Sequence, residues 1–162
     1  MKLRELLRQL TVNNVRFVVI GGVALVSRGA QRSTEDLDIA YARDRENLQR
    51  LATALEPLHP KLRGVPPELP FLFDAQTLRS GLNFTLDTDL GPLDLLGEVA
   101  GLGSFEHVDH AADELSIEGQ RILVLTLDGL ERSKRAAGRP KDLIDLRFCK
   151  IKALLEMNRP QK

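Results

Sequence analysis

The sequence predicts an α/β fold, an α+β arrangement with a small mixed sheet flanked by helices and a helical segment at the C-terminal end. Short apolar or alternating runs of strand length lie at residues 15–20, 83–88 and 122–125, and segments with helical spacing separate them. Beyond the last of these runs, the apolar residues recur at helical spacing. We therefore expect a core over residues 1–126 and a helical segment over residues 127–162 packed on it, as one compact domain.

The first part of the chain alternates helix and strand. Four leucines between residues 3 and 10 share one helical face, and Asn13-Asn14 ends that helix before the β-branched strand at residues 15–20. A glycine pair then leads into a short helix at residues 23–27. After a second strand that carries two aspartates, Asp44 is a suitable N-cap for a helix with leucines along one face.

A proline-rich stretch at residues 59–70 predicts an irregular connection. Residues 83–88 then alternate as a strand, residues 89–92 form a turn, and residues 93–96 return as the second strand of a hairpin. The glycines within residues 97–103 predict a mobile loop.

The C-terminal part contains a short strand at residues 122–125 and a helix at residues 127–137, which ends at Gly138-Arg139-Pro140. A last helix is expected from about residue 141. We expect this helix to bury four apolar residues, namely Ile144, Phe148, Ile151 and Leu155.

Composition narrows the class of protein. With 43% hydrophobic and 28% charged residues, the chain of 162 residues is typical of a soluble globular domain. Its formal net charge is zero, so no global field attracts nucleic acid or membranes, and a nucleic-acid contact would need a local patch such as residues 132–141. The lone Cys149 excludes an intrachain disulfide and is expected in the core. The N-terminal stretch lacks a signal-peptide core, and no run reaches the roughly 20 apolar residues that span a bilayer. We therefore expect a cytoplasmic protein with no membrane partner.

The most informative segment lies between residues 20 and 39. Gly21 and Gly22 close an apolar strand, and farther along the chain Asp36 and Asp38 alternate with aliphatic residues. On a strand, alternate residues share one face, so both carboxylates point the same way. Two carboxylates beside a glycine turn can hold a divalent metal against a phosphate chain. The segment predicts a nucleotidyl-transfer site that uses Mg²⁺ or Mn²⁺ and an NTP.

A third carboxylate would complete this site, because two metal ions about 4 Å apart need around three carboxylates. Asp94 is the natural candidate, since it is a single acid in an aliphatic strand, where a carboxylate is costly unless it is paired or metal-bound. Asp87 and Asp89 compete with it, but they sit beside the turn and are explained by solvent. Asp36, Asp38 and Asp94 are thus predicted as metal ligands and catalytic residues, and Asp94 would orient or deprotonate the acceptor.

Other nearby residues are suited to hold phosphates. Gly21 and Gly22 let the backbone approach a triphosphate closely, and the N-terminus of the following helix presents free N–H groups. Ser33 and Thr34 supply hydroxyl donors, and Arg32 supplies a countercharge. These five residues are predicted to bind the nucleotide.

Ile20-Gly21-Gly22, a spacer at residues 23–35 and Asp36-Leu37-Asp38-Ile39 together resemble the signature of the polymerase-β-like nucleotidyltransferase superfamily. That signature is an aliphatic residue, Gly-Gly or Gly-Ser, a variable spacer and then Asp-x-Asp with aliphatic residues between and after. Asp94 matches the family's third, less regular carboxylate. The resemblance implies a nucleotidyltransferase core that uses a divalent metal and an NTP.

Residues 134–146 resemble the closing motifs of one branch of that superfamily, the AbiEii-like nucleotidyltransferases of type IV toxin–antitoxin systems and their short relatives. In that branch, a lysine on a helix and a basic-Asp pair that opens the next helix complete the site. The resemblance assigns Lys134 to catalysis, where it neutralises the leaving group, and Lys141 and Asp142 to nucleotide binding. Arg139 matches the nucleotide-binding pattern more loosely.

The combined prediction is a metal-dependent enzyme that moves NMP from an NTP to an acceptor. The resemblance implies that the acceptor is a tRNA 3′ end or a protein hydroxyl, and that a cognate antitoxin is a partner. The chain is shorter than typical toxin members, so the alternative is a non-catalytic nucleotide-binding regulatory module.

Simpler structural explanations stay open for the same segments. The glycine pair also fits a plain strand-to-helix turn, and the two aspartates fit a solvated edge strand. Four basic side chains also fit a solvated helical hairpin, namely Lys134, Arg135, Arg139 and Lys141. Asp145 fits a structural role as well as a functional one. The two histidines in residues 107–110 fit a surface loop better than a zinc half-site. The two phenylalanines at positions 71 and 73 fit core packing better than base stacking.

Overall fold

A seven-stranded mixed sheet forms the centre of the fold in the computed structural model, which describes residues 1–159. The strands are β1 (Phe17–Ile20), β2 (Leu37–Tyr41), β3 (Lys61–Leu62), β4 (Asn83–Thr88), β5 (Gly91–Leu96), β6 (Glu98–Val99), β7 (Gly103–Ser104), β8 (Ala112–Ile117) and β9 (Gln120–Leu125). Their order in the main sheet is β3-β4-β5-β2-β1-β9-β8, and β6 and β7 form a separate two-stranded sheet. The sequence prediction of a mixed α/β fold is confirmed.

Helices pack around this sheet. They are α1 (Leu3–Val12), α2 (Gly21–Ser27), α3 (Arg45–Leu55), α4 (Ala75–Ser80), α5 (Phe105–His110), α6 (Leu127–Ala137) and α7 (Asp142–Met157), with a 3₁₀ turn at Glu56–Leu58. Asp44 caps α3 as predicted, because its carboxylate accepts a hydrogen bond from the Asn47 N–H at 3.0 Å. The division of the chain at residue 127 stays a prediction. No helix within residues 1–159 is both long and apolar enough to cross a membrane.

The register of three central strands decides where the functional side chains meet. β2 pairs antiparallel with β1 and parallel with β5. Ile20 at the end of β1 lies opposite Asp38, and Asp38 lies opposite Asp94. The prediction that a neighbouring strand brings Asp94 beside the aspartate pair is confirmed. Because β1 and most of β2 are buried, and β5 buries its alternate residues Leu93 and Leu95, this register is fixed by the core.

Several connections are more ordered than the sequence predicts. Residues 97–103 contain β6 and the start of β7 as well as turns, and the two histidines of residues 107–110 lie in α5 and not in a surface loop. The irregular stretch at residues 59–70 contains the edge strand β3, which pairs with β4. Phe73 is buried, and the half-buried Phe71 packs against the core, so the packing interpretation of these two rings is confirmed.

The orientation of α7 differs from the prediction. Ile144, Ile151 and Leu155 are 74%, 59% and 61% exposed, and Phe148 is only partly buried, so the predicted apolar face is wrong. The buried face instead carries three residues at helical spacing, namely Asp142, Asp145 and Cys149. Ion pairs from the two aspartates to α6 orient the helix, and the burial of the cysteine confirms its prediction as a core residue.

Candidate active site

Three carboxylates meet where the paired strands β2 and β5 lie side by side. Asp36 immediately precedes β2, Asp38 lies within β2, and Asp94 lies within β5. One carboxylate oxygen from each residue lies within 4.8 Å of the other two, and all three side chains are partly buried. This spacing allows the three oxygens to share one cation or a closely spaced pair of cations.

Electrostatics disfavours three ionised carboxylates in this cluster. Burial is the largest cause that raises the pKa of Asp38, and the negative charges of Asp36 and Asp94 add to it. Together they raise this pKa from 3.8 to about 6. Burial also raises the pKa of Asp94. Asp94 Oδ1 is shielded from solvent and accepts no hydrogen bond of good geometry from any residue within 1–159. A shielded carboxylate oxygen that accepts no directed hydrogen bond, beside two other carboxylates, fits a hard divalent cation such as Mg²⁺ or Mn²⁺.

The three carboxylates open into a cavity of about 610 Å³, a volume typical of small-molecule sites. Four cationic side chains line the same cavity, namely Arg32, Lys134, Arg139 and Lys141. Apolar side chains also contribute to the lining, among them Leu96, Val99, Leu130 and Ala137. The cavity therefore combines the acidic cluster with cationic and apolar side chains.

The two glycines provide space for functional side chains. A Cβ at Gly21, whose φ is +63°, would lie 2.1 Å from Asp38 Oδ2. A Cβ at Gly22 would lie 2.5 Å from Thr34 Oγ1, and that hydroxyl donates to the carbonyl of Asp36 at 3.2 Å. Both glycines line the cavity, as an approach to a phosphate chain requires. Their contact with phosphate stays a prediction. Their steric role is an additional one that the sequence pattern did not indicate.

Gly21→Ala is expected to lower the free energy of unfolding by about 1–3 kcal/mol and to displace the Asp38 carboxylate. The new Cβ would meet Asp38 and would also impose a positive φ on a residue with a side chain. Urea denaturation and Mn²⁺ titration measure the two effects. Gly119→Ala is the matched control, since Gly119 has φ +79° and a Cβ added there would meet nothing within 4 Å. If both variants retain wild-type Mn²⁺ affinity, the steric role of Gly21 at the acidic cluster is wrong.

An ion-pair network joins the cationic side of the cavity to α7. Lys134 is 7% exposed, and its Nζ lies 3.1 Å from Asp142 Oδ1 and 2.9 Å from Asp145 Oδ2. Arg139 Nε donates to Asp142 at 2.9 Å, and Arg32 Nη1 donates to both oxygens of Asp145 at 2.7 and 2.8 Å. Two aspartates thus pair with three cationic side chains that line the cavity.

The charge state of this network is clear at Asp142. Burial alone would raise its pKa, but hydrogen bonds from Arg139 and Lys134, together with their positive charges, outweigh burial and lower the pKa to about 2. Asp142 is therefore ionised at neutral pH and pairs with both cationic side chains.

Most predicted site residues line one cavity: Gly21, Gly22, Arg32, Thr34, Asp36, Asp38, Asp94, Lys134, Arg139 and Lys141. Ser33 and Asp142 do not line it. Asp142 is fully buried and pairs with Lys134 and Arg139, so it positions these two side chains, and its predicted role in nucleotide binding stays a prediction.

Two residues that contact the site were not predicted as site residues. The sequence left Asp145 open between a structural and a functional role, and its spacing of three from Asp142 places both carboxylates on one helical face. Arg63, from the proline-rich connection, lies 3.1 Å from Asp94 Oδ1 through its Nη2. No local pattern marks it, because its position depends on pairing between distant strands.

A scan of protein-family models and a search of curated proteins each found no match to this sequence. Solved structures do share its fold. Lincomycin-bound LnuA, a lincosamide antibiotic adenylyltransferase, is 17% identical with a TM-score of 0.61, and the match covers 92% of this chain and 94% of that chain.

A second match is ANT(2″)-Ia in complex with adenylyl-2″-tobramycin, which is 15% identical with a TM-score of 0.60 over 91% of this chain and 84% of that chain. A third is an antigenic nucleotidyltransferase-like protein from Paracoccidioides brasiliensis, 18% identical with a TM-score of 0.55 over 94% of this chain and 74% of that chain. At these identities the likeness concerns the fold. The chain has the fold of nucleotidyltransferases.

Proposed function

We propose that this protein is a metal-dependent nucleotidyltransferase that transfers NMP from an NTP to a hydroxyl acceptor. The observation that carries the proposal is the meeting of Asp36, Asp38 and Asp94 in a cavity that four cationic side chains also line. The shared fold with adenylyltransferases supports the same reaction class.

Asp36, Asp38 and Asp94 would hold Mg²⁺ or Mn²⁺, which supplies charge neutralisation at the attacking and leaving oxygens. Asp94 orients the acceptor hydroxyl and takes its proton as the hydroxyl oxygen bonds to the α-phosphorus. The bond from that phosphorus to the bridging oxygen breaks, and pyrophosphate leaves. Because two metals would share the three carboxylates, replacement of any one of them should affect catalysis strongly.

The cationic residues would hold the phosphate chain. Lys141 is exposed at the cavity edge, whereas Arg32 and Arg139 reach it while paired to carboxylates. Lys134 would neutralise charge that builds on the pyrophosphate. Its two ion pairs hold the ammonium group in one place, so little reorganisation is needed when that charge develops.

The lining of the cavity bears on the acceptor. Within residues 1–159, the carboxylates that line it are those of the acidic cluster alone, and these would be neutralised by metal. A polycationic acceptor would therefore find no further anionic partner, whereas a neutral or anionic hydroxyl compound would fit. A tRNA 3′ end and a protein hydroxyl both satisfy this condition, and the resemblance of residues 134–146 supports toxin–antitoxin membership with a cognate antitoxin.

One observation favours the second candidate, a non-catalytic nucleotide-binding module. Arg63 pairs with Asp94, the residue that would take the acceptor proton. A module of this kind would bind NTP without releasing pyrophosphate.

Incubation of the protein with α-labelled NTPs, Mg²⁺ or Mn²⁺, total tRNA and a protein extract is expected to label one acceptor. Asp36→Asn should abolish the labelling, because it removes one ligand of the acidic cluster, and EDTA should do the same. Asp128→Asn is the matched control, since this aspartate of α6 does not line the cavity.

Labelling that persists in Asp36→Asn would contradict the site assignment. Tight NTP binding by calorimetry, with no pyrophosphate released for any acceptor, would instead support the module.

A further inference from the structure

We propose that Arg63 competes with a metal ion for Asp94, so that a cation must displace this guanidinium to use the third carboxylate. The inference rests on the proposed function, in which the acidic cluster binds a divalent cation. It concerns the regulation of metal occupancy by a residue outside that cluster.

The backbone of Arg63 is fixed by strand pairing. Arg63 directly follows β3, which pairs antiparallel with β4, and its N–H donates to the Thr85 carbonyl at 3.0 Å. Thr85 in turn lies opposite Asp94 in the pairing of β4 with β5. The side chain of Arg63 therefore has to cross only one strand to reach the acidic cluster.

Three groups hold the guanidinium. Its Nε donates to Asp87 Oδ1 at 3.0 Å, and its Nη2 donates to the Leu86 carbonyl at 2.8 Å. The same Nη2 lies 3.1 Å from Asp94 Oδ1. The side chain of Arg63 is 33% exposed, so it can move toward solvent without disturbing the packing of the core.

The contact with Asp94 is an ion pair without good hydrogen-bond geometry, because Oδ1 accepts no hydrogen bond within residues 1–159. Charge attraction therefore holds the pair, and the lone pairs of Oδ1 are not saturated by a directed donor. If Arg63 leaves Asp94, it keeps Asp87 and the Leu86 carbonyl. The arginine can therefore yield to a metal at low structural cost.

A guanidinium and a divalent cation on the same carboxylate repel each other. For a partly solvated site, one unit charge facing a divalent ion a few ångströms away changes metal affinity by at least about tenfold. The first metal ion is therefore favoured at Asp36 and Asp38. A metal ion that also binds Asp94 requires Arg63 to move away from that carboxylate.

Calorimetric titration of nucleotide-free protein with Mn²⁺ tests this competition. Arg63→Gln is expected to raise the Mn²⁺ affinity by at least about tenfold, whereas Arg63→Lys, which keeps the charge, should stay near wild type. In an Asp94→Asn background, Arg63→Gln should have little effect, because the carboxylate for which arginine and metal compete is gone. Arg50→Gln is the matched control, since it removes a surface arginine that pairs with Glu46 on α3. Thermal melts establish that each variant folds.

The outcomes separate the two proposals. If wild type binds Mn²⁺ and Asp36→Asn does not, the metal cluster stands, and an unchanged or lower affinity in Arg63→Gln overturns the competitor alone. If neither wild type nor Arg63→Gln binds Mn²⁺, both the metal cluster and the competitor are wrong. An equal gain in Arg50→Gln would also overturn the competitor, because the effect would then reflect only the net charge of the protein.

Discussion

Asp38→Asn is expected to abolish nucleotidyl transfer and yet to make the metal-free protein more stable at pH 7.5. A pKa raised from 3.8 to about 6 means that the ionised form is disfavoured by about 3 kcal/mol in the folded state. Asparagine removes that charge from beside Asp36 and Asp94. Allowing for relaxation around the site, we expect a gain of about 1–3 kcal/mol in the free energy of unfolding.

The sign of the pH dependence follows from the same shift. Between about pH 4 and pH 6, folded Asp38 holds a proton that the unfolded chain has released, so the free energy of unfolding falls as pH rises through this window. Above pH 6 this contribution is constant. The stability difference between Asp38→Asn and wild type should therefore be largest above pH 6 and should shrink toward pH 4. Urea denaturation in EDTA at pH 4.5 and pH 7.5 measures it.

Metal should reverse the ranking. Mg²⁺ that binds the folded wild type stabilises it by mass action, whereas the variant lacks one ligand and gains less. Transfer activity should fall at least about a thousandfold, because charge stabilisation by metal contributes several kcal/mol. Asp128→Asn, on α6 and outside the cavity, should change neither property. An Asp38→Asn protein that is less stable than wild type in EDTA at pH 7.5 would contradict the electrostatic argument.

This opposition between stability and function explains why the acidic cluster could be predicted from sequence. Asp94 is costly in an aliphatic strand, and Asp36 and Asp38 alternate with buried aliphatic residues, so each carries a local signal. The strand pairing that unites them follows from the buried pattern of β2 and β5. The steric role of Gly21 needed coordinates, since it depends on where Asp38 points across the strand pair.

Local patterns failed where long-range charge decides the structure. The apolar residues of α7 predicted its buried face, but Asp142 and Asp145 occupy that face because Lys134 on α6 pairs with both. Periodicity does not weigh a buried ion-pair network against an apolar stripe. The sequence analysis also did not predict strand β8. This strand lies at the edge of the sheet beside β9, and much of it is exposed, so it lacks the apolar pattern of a buried strand.

The network that reorients α7 makes Lys134→Met the second large expected effect. Methionine would leave Asp142 with Arg139, and Asp145 with Arg32, as their remaining ionic partners. Breaking a buried ion pair by removing one partner costs about 3–5 kcal/mol when the other charge is left alone. Because both aspartates keep an arginine, we expect a loss of about 2–4 kcal/mol in the free energy of unfolding.

The loss should depend on pH. In wild type, the pKa of Asp142 is lowered to about 2, so its contribution to stability is present above about pH 4 and is lost as pH falls toward 2. The difference between Lys134→Met and wild type should therefore be constant near neutrality and should narrow between pH 4 and pH 2. Urea denaturation across this range measures the effect.

Lys141→Met separates the bracing role of Lys134 from a simple loss of positive charge. Lys141 lines the same cavity but is exposed, and it forms no ion pair with residues 1–159. Its replacement should change stability by less than about 0.5 kcal/mol while it weakens NTP binding. Lys134→Met should lower both stability and turnover. The lysine pairs α6 with Asp142 and Asp145 of α7, and these two aspartates also position Arg139 and Arg32. Equal stability losses in the two variants would show that Lys134 does not brace α6 against α7.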